Sequence, residues 1–396
     1  MTIPGMSGDS LILALTWTTC RQILEQVWPI AFISLGVSLI ATPVCRRIAI
    51  AMNIVDRPDE FLKPHERPIP YLGGVAVFAG WLAGILVAIL WAKIPMRTNL
   101  MAAVAVAGLA IMLIGLFDDL RVMRPTPKLL ANIAVALWLL YFGLGDKIIH
   151  VVVRFLLGPN EHLERWLELV YSVPITVFIV VGACNAANLI DGLDGLCAGV
   201  LGIISLGFFV LAMNLRESPA NLPVEIANER IVLALAMLGA AAGFLPFNRN
   251  PAKIFLGDAG SMLLGLNAAV LILLFSKAHL IRWMIGSLMV FGLPLVDMCL
   301  TLARRWRNGR PLMEGDRSHF YDQLRDRGFT VRRVVAISYL LTLAFVLVGV
   351  SVIFLRTRYA ILVYIVAVVV VIATIWKFNM VSIERDRRAD RSAPTS

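Results

Sequence analysis

The chain has 396 residues, of which 59% are hydrophobic and only 16% are charged, and its mean hydropathy is +0.82. Soluble proteins carry about 25% charged residues, so this composition excludes an ordinary soluble enzyme and indicates an integral membrane protein. The formal net charge is +10, but basic and aromatic residues are not interleaved, so we expect no nucleic-acid partner. We attribute the charge to membrane topology and to contact with anionic membrane lipids.

Apolar runs long enough to cross a membrane as helices recur along the whole chain; a span needs about 20 residues, with some tolerance. We predict an all-α integral membrane protein, a polytopic bundle of about eleven transmembrane helices that leaves little room for a separate soluble domain. The predicted spans are 28–47, 73–92, 100–117, 129–143, 169–187, 196–214, 231–247, 260–276, 282–303, 334–355 and 359–378.

The distribution of lysine and arginine predicts the orientation, because these residues favour cytoplasmic loops. With the N-terminus outside, the inner segments hold twice as many of them as the outer ones and include "RRWRNGR" and "ERDRRADR". We therefore predict an extracytoplasmic N-terminal segment (1–27), a multi-span domain (28–378) and a polar cytoplasmic tail (379–396). The start "MTIPGMSGDS" has no basic segment, so we expect no cleaved signal peptide.

Polar clusters lie at the predicted inner ends of the spans. The outer segment 158–168, with its three glutamates, shows that outer loops also have room for acids. The clusters nevertheless all fall on one side of the membrane, which indicates one cytoplasmic-face site. They are "PDEFLKPHERPIPYLGG" with Lys63, "GLFDDLRVM" with Asp118 and Asp119, "NAANLIDGLDG" with four polar residues, "PFNRNPAKIFLGDAGS" with Asp258, and "GDRSHFYDQLRDRGF" with His319.

These residue types indicate metal-assisted phosphate chemistry. The adjacent carboxylates of Asp118 and Asp119 need a cation, a shared proton or solvent to offset their repulsion. Mg²⁺ suits them, because it takes one or two carboxylates, keeps waters and binds phosphate oxygens. "FLGDAGS" places Asp258 just before an apolar helix, where free N–H groups and the helix dipole favour phosphate.

Each cluster has a plainer interpretation when it is taken alone. Asp118 and Asp119 could end a span in water, Gly73 and Gly74 could be helix-packing glycines, and His319 could be a surface histidine. That histidine would lie on a short amphipathic helix with Asp316 at its start and Gly328 at its end. Convergence of all clusters on one face favours a functional site instead.

A membrane transporter is the alternative from another class. Transporters usually place charged residues and broken helices near the middle of the membrane. Here the acids lie at the ends of the spans and no repeat relates the two halves, so we favour an enzyme.

The ordered set of motifs resembles the polyprenyl-phosphate N-acetylhexosamine-1-phosphate transferases. This family includes the enzymes that start O-antigen and enterobacterial common antigen synthesis, and the phospho-N-acetylmuramoyl-pentapeptide translocase. The resemblance implies transfer of a sugar 1-phosphate from a UDP-N-acetylhexosamine to undecaprenyl or another polyprenyl phosphate, with release of UMP. It also implies a multi-pass protein of the bacterial inner membrane with a cytoplasmic active site, a requirement for Mg²⁺ or Mn²⁺, and a homodimer as one form of assembly.

The resemblance also implies roles for individual residues. Asp118 and Asp119 correspond to the catalytic carboxylates, and Asp258, with Asp119, corresponds to the metal ligands. Residues expected to bind the nucleotide or the substrate are Lys63, Asn185, Asn188, Asp191, Asp194, Phe255 and His319. Residues expected to bind phosphate or the lipid are Lys128, Arg304, Arg305 and Arg317.

The chain departs from the family pattern in two places that bear on the substrate. Related enzymes usually carry several histidines in the last inner loop, whereas "SHFYDQL" has His319 alone, and a common glutamine is replaced by Asn132. The missing histidines make UDP-MurNAc-pentapeptide the second choice, behind a donor like UDP-GlcNAc. UDP-GalNAc or a deoxy-N-acetylhexosamine donor follows closely on UDP-GlcNAc.

The role of Asp118 as a general base can be questioned on chemical grounds. A phosphate monoester has a second pKa near 6 and is mostly dianionic at pH 7. We therefore expect Asp118 to act at least partly through metal and substrate geometry. A single in-line displacement and a covalent phospho-aspartate intermediate both remain open at this point.

Overall fold

The computed structural model describes residues 8–56, 68–121, 123–158, 164–217, 223–276, 281–309 and 319–381. These ranges contain fourteen α-helices and one short antiparallel strand pair. The helices are α1 Gly8–Ala51, α2 Gly73–Leu86, α3 Thr98–Leu120, α4 Pro125–Tyr141, α5 Ile148–Leu157, α6 Arg165–Leu189, α7 Leu196–Glu217, α8 Val224–Asn248, α9 Gly257–Ser276, α10 Ile281–Val290, α11 Gly292–Arg307, α12 Phe320–Asp326, α13 Val331–Val352 and α14 Thr357–Lys377. A π-helical turn, Val87–Trp91, continues α2, and β1 Val55–Asp56 pairs with β2 Ile69–Pro70.

Helices lie at all eleven predicted spans, so the all-α polytopic architecture is confirmed. Within the described ranges, nine helices are long and apolar enough to cross a membrane, and α10 with α11 makes a tenth if the bent pair is one span. Helix α4 has 17 residues, about 26 Å at 1.5 Å per residue, which is short for a span. Helix α1 begins at Gly8, well before the span predicted at 28–47. It therefore includes most of the N-terminal segment 1–27, which we predicted to lie outside the multi-span domain.

A bend of 74° separates α10 from α11. Pro294 explains why the first helix stops: it has no N–H to donate to the carbonyl of Val290, and its ring excludes a straight helix there. After the break, α11 carries Asp297 and Thr301 to His319, the residue that precedes α12.

Helix α9 lies at the centre of the bundle. It is apolar on every side, and all its residues apart from Asp258 are buried between neighbouring helices. Such all-round hydrophobicity is typical of a core helix. Helix α14 is the opposite case, because only 6% of its apolar stretch is buried within the protein; it therefore presents its side chains outward, as expected of a lipid-facing helix.

Two glycines let α2 and α3 contact the backbone at the start of α9. A β-carbon on Gly74 would lie 2.3 Å from the amide nitrogen of Gly260, and one on Gly115 would lie 2.5 Å from that of Ala259. No side chain fits at these distances. Gly74 therefore has the helix-packing role considered above. Together with Gly115 it lets α2 and α3 lie directly against the first turn of α9.

A buried ion pair joins α3 to α8 at the opposite end of the bundle. The Arg97 backbone N–H and Nε both donate to Oε1 of Glu229, at 2.9 Å and 2.8 Å. The Glu229 side chain is completely buried, so this pairing provides the compensation that a buried carboxylate needs. It fixes the start of α3, whose other end carries Asp118 and Asp119.

Candidate active site

A cavity of about 1170 Å³ opens where α3 and α6 end and α9 begins. Most of its walls come from the inner segments that the sequence singled out, and they combine carboxylates and amides with apolar side chains. Lining residues from the predicted set are Asp118, Asp119, Asn188, Asp191, Asp194, Phe255 and Asp258. The structure therefore brings together carboxylates from three segments that are far apart in the sequence.

Lys128 lies between two of these carboxylates. Its Nζ donates to Oδ2 of Asp118 at 2.9 Å and forms a second ion pair with Oδ2 of Asp258. The other Asp118 oxygen accepts the backbone N–H of Met123 at 2.6 Å. Both Asp118 oxygens thus already accept hydrogen bonds, and one ammonium group compensates two carboxylates.

Asp119 holds the N-terminus of α9. Its Oδ1 accepts the backbone N–H of Asp258 at 2.8 Å, and its Oδ2 accepts that of Ala259 at 3.2 Å. The first N–H groups of a helix have no partner within the helix, and a carboxylate there also interacts favourably with the helix dipole. Gly257 has φ +71°, and a β-carbon on it would lie 2.5 Å from Oδ2 of Asp119, so glycine is required.

Asn188 connects α6 to the same cluster. Its Nδ2 donates to Oδ1 of Asp258 at 2.6 Å and to Oγ of Ser261 at 3.1 Å. Asn185 lies one turn earlier and donates instead to the carbonyl of Val181 in its own helix, at 2.7 Å. Among the described residues that line the cavity, Asn185 is not included, so only Asn188 of this pair faces the site.

The loop 190–195, which joins α6 to α7, forms one wall of the cavity. Oδ2 of Asp194 accepts the Asn250 side-chain amide at 2.9 Å and the Ala252 backbone N–H at 3.0 Å. Withdrawal from water, together with the charges of Asp258, Asp119 and Asp194, raises the pKa of Asp191 well above its usual range. This wall therefore favours a bound cation or proton.

Phe255 provides an apolar surface beside the carboxylates. Its ring centroid lies 5.8 Å from that of Tyr71, and its backbone N–H donates to the carbonyl of Pro70 at 2.8 Å. A flat ring held in this way could stack on a nucleobase. Burial and the neighbouring Asp56 raise the pKa of Tyr71, so its phenol stays protonated.

His319 is buried, and the interpretation of it as a surface histidine is wrong. It is 4% exposed, and its Nδ1–H donates to Oδ2 of Asp297 at 2.8 Å. It does not line the cavity among the described residues. The short helix α12 begins only at Phe320, with His319 at its N-cap position, so the predicted start at Asp316 is wrong; Asp316 itself lies outside the described residues. The predicted end is confirmed, because the helix stops before Gly328, which has φ +88°.

The basic residues that reach the cavity differ from those we assigned to phosphate or lipid. Arg304 is fully buried and Arg305 nearly so, and neither lines the cavity in the described part of the chain. Both lie on the buried face of α11 and therefore point away from the cavity. The sequence did not reveal this, because a stretch with so many basic residues shows no clear helical period. The described basic residues that line the cavity are Arg46, Lys253 and Arg325, while Lys63 and Arg317 lie outside the described ranges.

The donor set fits a hard divalent cation. No group of three or more His, Cys, Asp or Glu side chains forms a ready-made metal site in the described residues. Mg²⁺ needs only one or two carboxylates, with water and phosphate oxygens for the rest. Asp118 and Asp258 offer those two carboxylates, and the Lys128 ammonium group lies between them. The pair is therefore already arranged to hold a positive charge.

Comparison with known proteins identifies relatives over most of the chain. The profile of the family described as glycosyl transferase family 4 matches residues 101–276. A probable undecaprenyl-phosphate N-acetylglucosaminyl 1-phosphate transferase of Bacillus subtilis is 34% identical over 319 residues, which cover 80% of this chain and 82% of that protein. A decaprenyl-phosphate N-acetylglucosaminephosphotransferase of Mycobacterium tuberculosis is 30% identical over 357 residues, 85% of each chain. A phospho-N-acetylmuramoyl-pentapeptide-transferase of Desulfitobacterium hafniense is 31% identical over 345 residues, 82% of this chain and 97% of that protein.

Proposed function

Because the chain belongs to glycosyl transferase family 4, we propose that it transfers an N-acetylhexosamine 1-phosphate from a UDP-sugar to a polyprenyl phosphate and releases UMP. The observation that carries the proposal is that Asp118 and Asp258 line one cavity and are joined by the ammonium group of Lys128. A water-soluble donor can enter such a cavity while a lipid acceptor reaches it from the surrounding membrane. The excess of lysine and arginine in the same segments supports a cytoplasmic active site in a bacterial inner membrane.

The reaction is a displacement at phosphorus. An oxygen of the lipid phosphate attacks the β-phosphorus of the UDP-sugar, and the bond from that phosphorus to the bridging oxygen breaks. UMP leaves, and the sugar phosphate is joined to the lipid as a diphosphate. Because both reactants are anions, the protein must supply positive charge and positioning rather than a covalent partner.

The residues of the cluster are suited to that task. Lys128 can exchange a carboxylate for a phosphate oxygen by a small movement of its flexible stem, and Arg46 and Arg325 add positive charge at the cavity wall. Both Asp118 oxygens already accept hydrogen bonds. The ion pair with Lys128 and the Met123 N–H stabilise the ionised carboxylate, which makes it a weaker base and nucleophile. This supports a positioning role for Asp118 and a single in-line displacement.

From the family resemblance we assigned the metal to Asp258 and Asp119. Because both Asp119 oxygens hold the start of α9, Asp118 would take its place as the second carboxylate beside Asp258. Mg²⁺, or Mn²⁺ in its place, would polarise the diphosphate and stabilise the charge on the leaving UMP. Because Asp119 already accepts the Asp258 and Ala259 N–H groups, we assign no phosphate contact to the start of α9.

The donor half of the site is assigned to Asn188, Asp191, Asp194 and Phe255. The Phe255 ring would stack on uracil, and the polar side chains would bind the ribose and the sugar, with Lys63 from the first inner loop. UDP-GlcNAc is the first choice of donor, as two of the relatives are named for N-acetylglucosamine phosphate transfer.

The second candidate is transfer of phospho-MurNAc-pentapeptide, which the Desulfitobacterium hafniense relative favours. Purified protein in detergent, incubated with MgCl₂, undecaprenyl phosphate and one UDP-sugar at a time, distinguishes the two. We expect UMP from UDP-GlcNAc, little from UDP-MurNAc-pentapeptide, and none after chelation. UMP from the pentapeptide donor alone would favour the second candidate, and solute movement in vesicles without UMP would indicate a transporter.

A further inference from the structure

The loop 190–195 is held at both ends by tyrosines from the C-terminal part of the chain. The Tyr321 hydroxyl donates to the carbonyl of Leu189, the last residue of α6, at 3.0 Å. The Tyr339 hydroxyl donates to the carbonyl of Gly195 at 2.6 Å. The last carbonyls of a helix have no partner within it, so Tyr321 satisfies a group that would otherwise need water.

Glycines make room for both tyrosines. A β-carbon on Gly192 would lie 2.1 Å from the Tyr321 hydroxyl oxygen, and one on Gly199 would lie 1.9 Å from that of Tyr339. Neither distance permits a side chain. The loop and the first turn of α7 therefore carry one glycine opposite each tyrosine, and the two sides fit together.

Tyr321 is itself fixed by a second set of contacts. Its ring stacks on His319, with centroids 5.2 Å apart and an angle of 9° between the planes. Asp297 accepts His319 Nδ1–H at 2.8 Å through Oδ2 and the Phe320 backbone N–H at 3.0 Å through Oδ1. Asp297 is 1% exposed, so one buried carboxylate fixes the histidine and the start of α12 together.

We propose that Tyr321 and Tyr339 are positioning residues for the donor half of the active site, and that Asp297 orients Tyr321 through His319. The loop they hold carries Asp191 and Asp194, which line the cavity, whereas neither tyrosine lines it in the described residues. Holding the loop before the donor binds reduces the conformational entropy lost on binding. His319 then acts through Tyr321 rather than by contact with the nucleotide.

The first test measures the loop without turnover. Hydrogen–deuterium exchange of the backbone amides of 189–196 is followed by mass spectrometry in detergent for wild type, Tyr321→Phe and Tyr339→Phe. Each substitution keeps the ring and removes one hydroxyl. We expect faster exchange in 189–196 for both variants and unchanged exchange in α9, which shows that the bundle is intact.

Tyr359→Phe is the matched control, because the Tyr359 hydroxyl also takes part in a hydrogen bond, as acceptor from Arg358 at 3.2 Å, but on the peripheral helix α14. It should leave loop exchange at the wild-type rate. Asp297→Asn should increase loop exchange, since it weakens the hold on His319. Exchange in both tyrosine variants equal to that in the control would overturn the proposal.

The second test uses turnover and rests on the proposed function. Loss of one of these partly buried hydrogen bonds is expected to lower kcat/KM for the UDP-sugar about fivefold, through a higher donor KM, with the acceptor KM unchanged. An equal effect on both substrates, or none, would overturn the positioning role. A wild-type protein that releases no UMP would contradict the proposed function instead, and the exchange experiment would still decide the inference.

Discussion

Replacing Lys128 by methionine should destabilise the protein and make its stability depend on magnesium. The substitution keeps the length of the side chain and removes the charge between Asp118 and Asp258. The Nζ–Oδ2 distance of 2.9 Å to Asp118 corresponds to about 6 kcal/mol of direct attraction at an effective dielectric constant of about 20. Desolvation offsets part of this, and removing one partner of a buried pair costs about 3–5 kcal/mol.

The lower end of that range applies here, because the three side chains keep 15% to 27% exposure. A loss of about 3 kcal/mol corresponds to a fall of roughly 4 °C in the midpoint of thermal unfolding for a chain of this size. Excess MgCl₂ should raise the midpoint more in Lys128→Met than in wild type, because a cation between the carboxylates then replaces the missing ammonium group.

Thermal unfolding followed by intrinsic fluorescence in detergent, with MgCl₂ and with a chelator, measures both effects. Lys147→Met is the matched control, as Lys147 is exposed at the other end of the bundle and its loss should change neither the midpoint nor the magnesium response. A Lys128→Met protein with the wild-type midpoint and the wild-type response to MgCl₂ would refute the reasoning.

Three further predictions follow from the same contacts. Asp119→Ala should lower the stability by about 1–2 kcal/mol, as loss of a helix cap does, and Asp119→Asn should lose less because it keeps one acceptor; equal losses in denaturation midpoints would contradict the capping role. Burial raises the pKa of Asp322 to about 6, so the folded state retains this proton to higher pH than the unfolded state and loses stability as the pH rises from about 4 to 6. Asp322→Asn should therefore be more stable than wild type at pH 7, with a difference that shrinks towards pH 4; a constant difference across a pH series of unfolding midpoints would count against it. Gly74→Ala should reduce both stability and UMP release, because its β-carbon would meet the Gly260 backbone at 2.3 Å, whereas Gly36→Ala, with nothing within 4 Å, should reduce neither.

The sequence predicted the helices well because their signal is local. An apolar run must form a helix in a membrane whatever its neighbours are, so a helix lies at each predicted span. The number of membrane crossings could not be predicted as well from the sequence. Whether α4, with its 17 residues, crosses the membrane and whether α10 and α11 form one span depend on depth and tilt, which composition does not specify.

The convergence of the site was predictable for a related reason. Asp118, Asn188 and Asp258 all lie at helix ends at the same end of the bundle, so the predicted topology alone brings them to one face. Side-chain direction was not predictable in the same way. Arg304 is buried, and Asn185 turns to its own helix, although their neighbours in the sequence are polar.

The tyrosines and Asp297 were missed because nothing near them in the sequence marks them. Tyr339 lies in an apolar span, where a tyrosine is not unusual, and Asp297 is a single acid in another span with no polar motif around it. Only the fold shows that the Tyr339 hydroxyl meets Gly195 and that Asp297 meets His319. A lone acid within a span was the available signal, since such residues are expensive in a membrane and are often functional.

We propose that the protein transfers a sugar phosphate to a lipid at the cluster of Asp118, Lys128 and Asp258. The most direct test is mass spectrometry of the lipid fraction after incubation of the purified protein with UDP-GlcNAc, undecaprenyl phosphate and MgCl₂. We expect to detect an undecaprenyl diphosphate that carries one N-acetylglucosamine with the wild-type protein and none with Asp258→Asn, when equal amounts of folded protein are compared. The same lipid product from Asp258→Asn at the wild-type rate would contradict it.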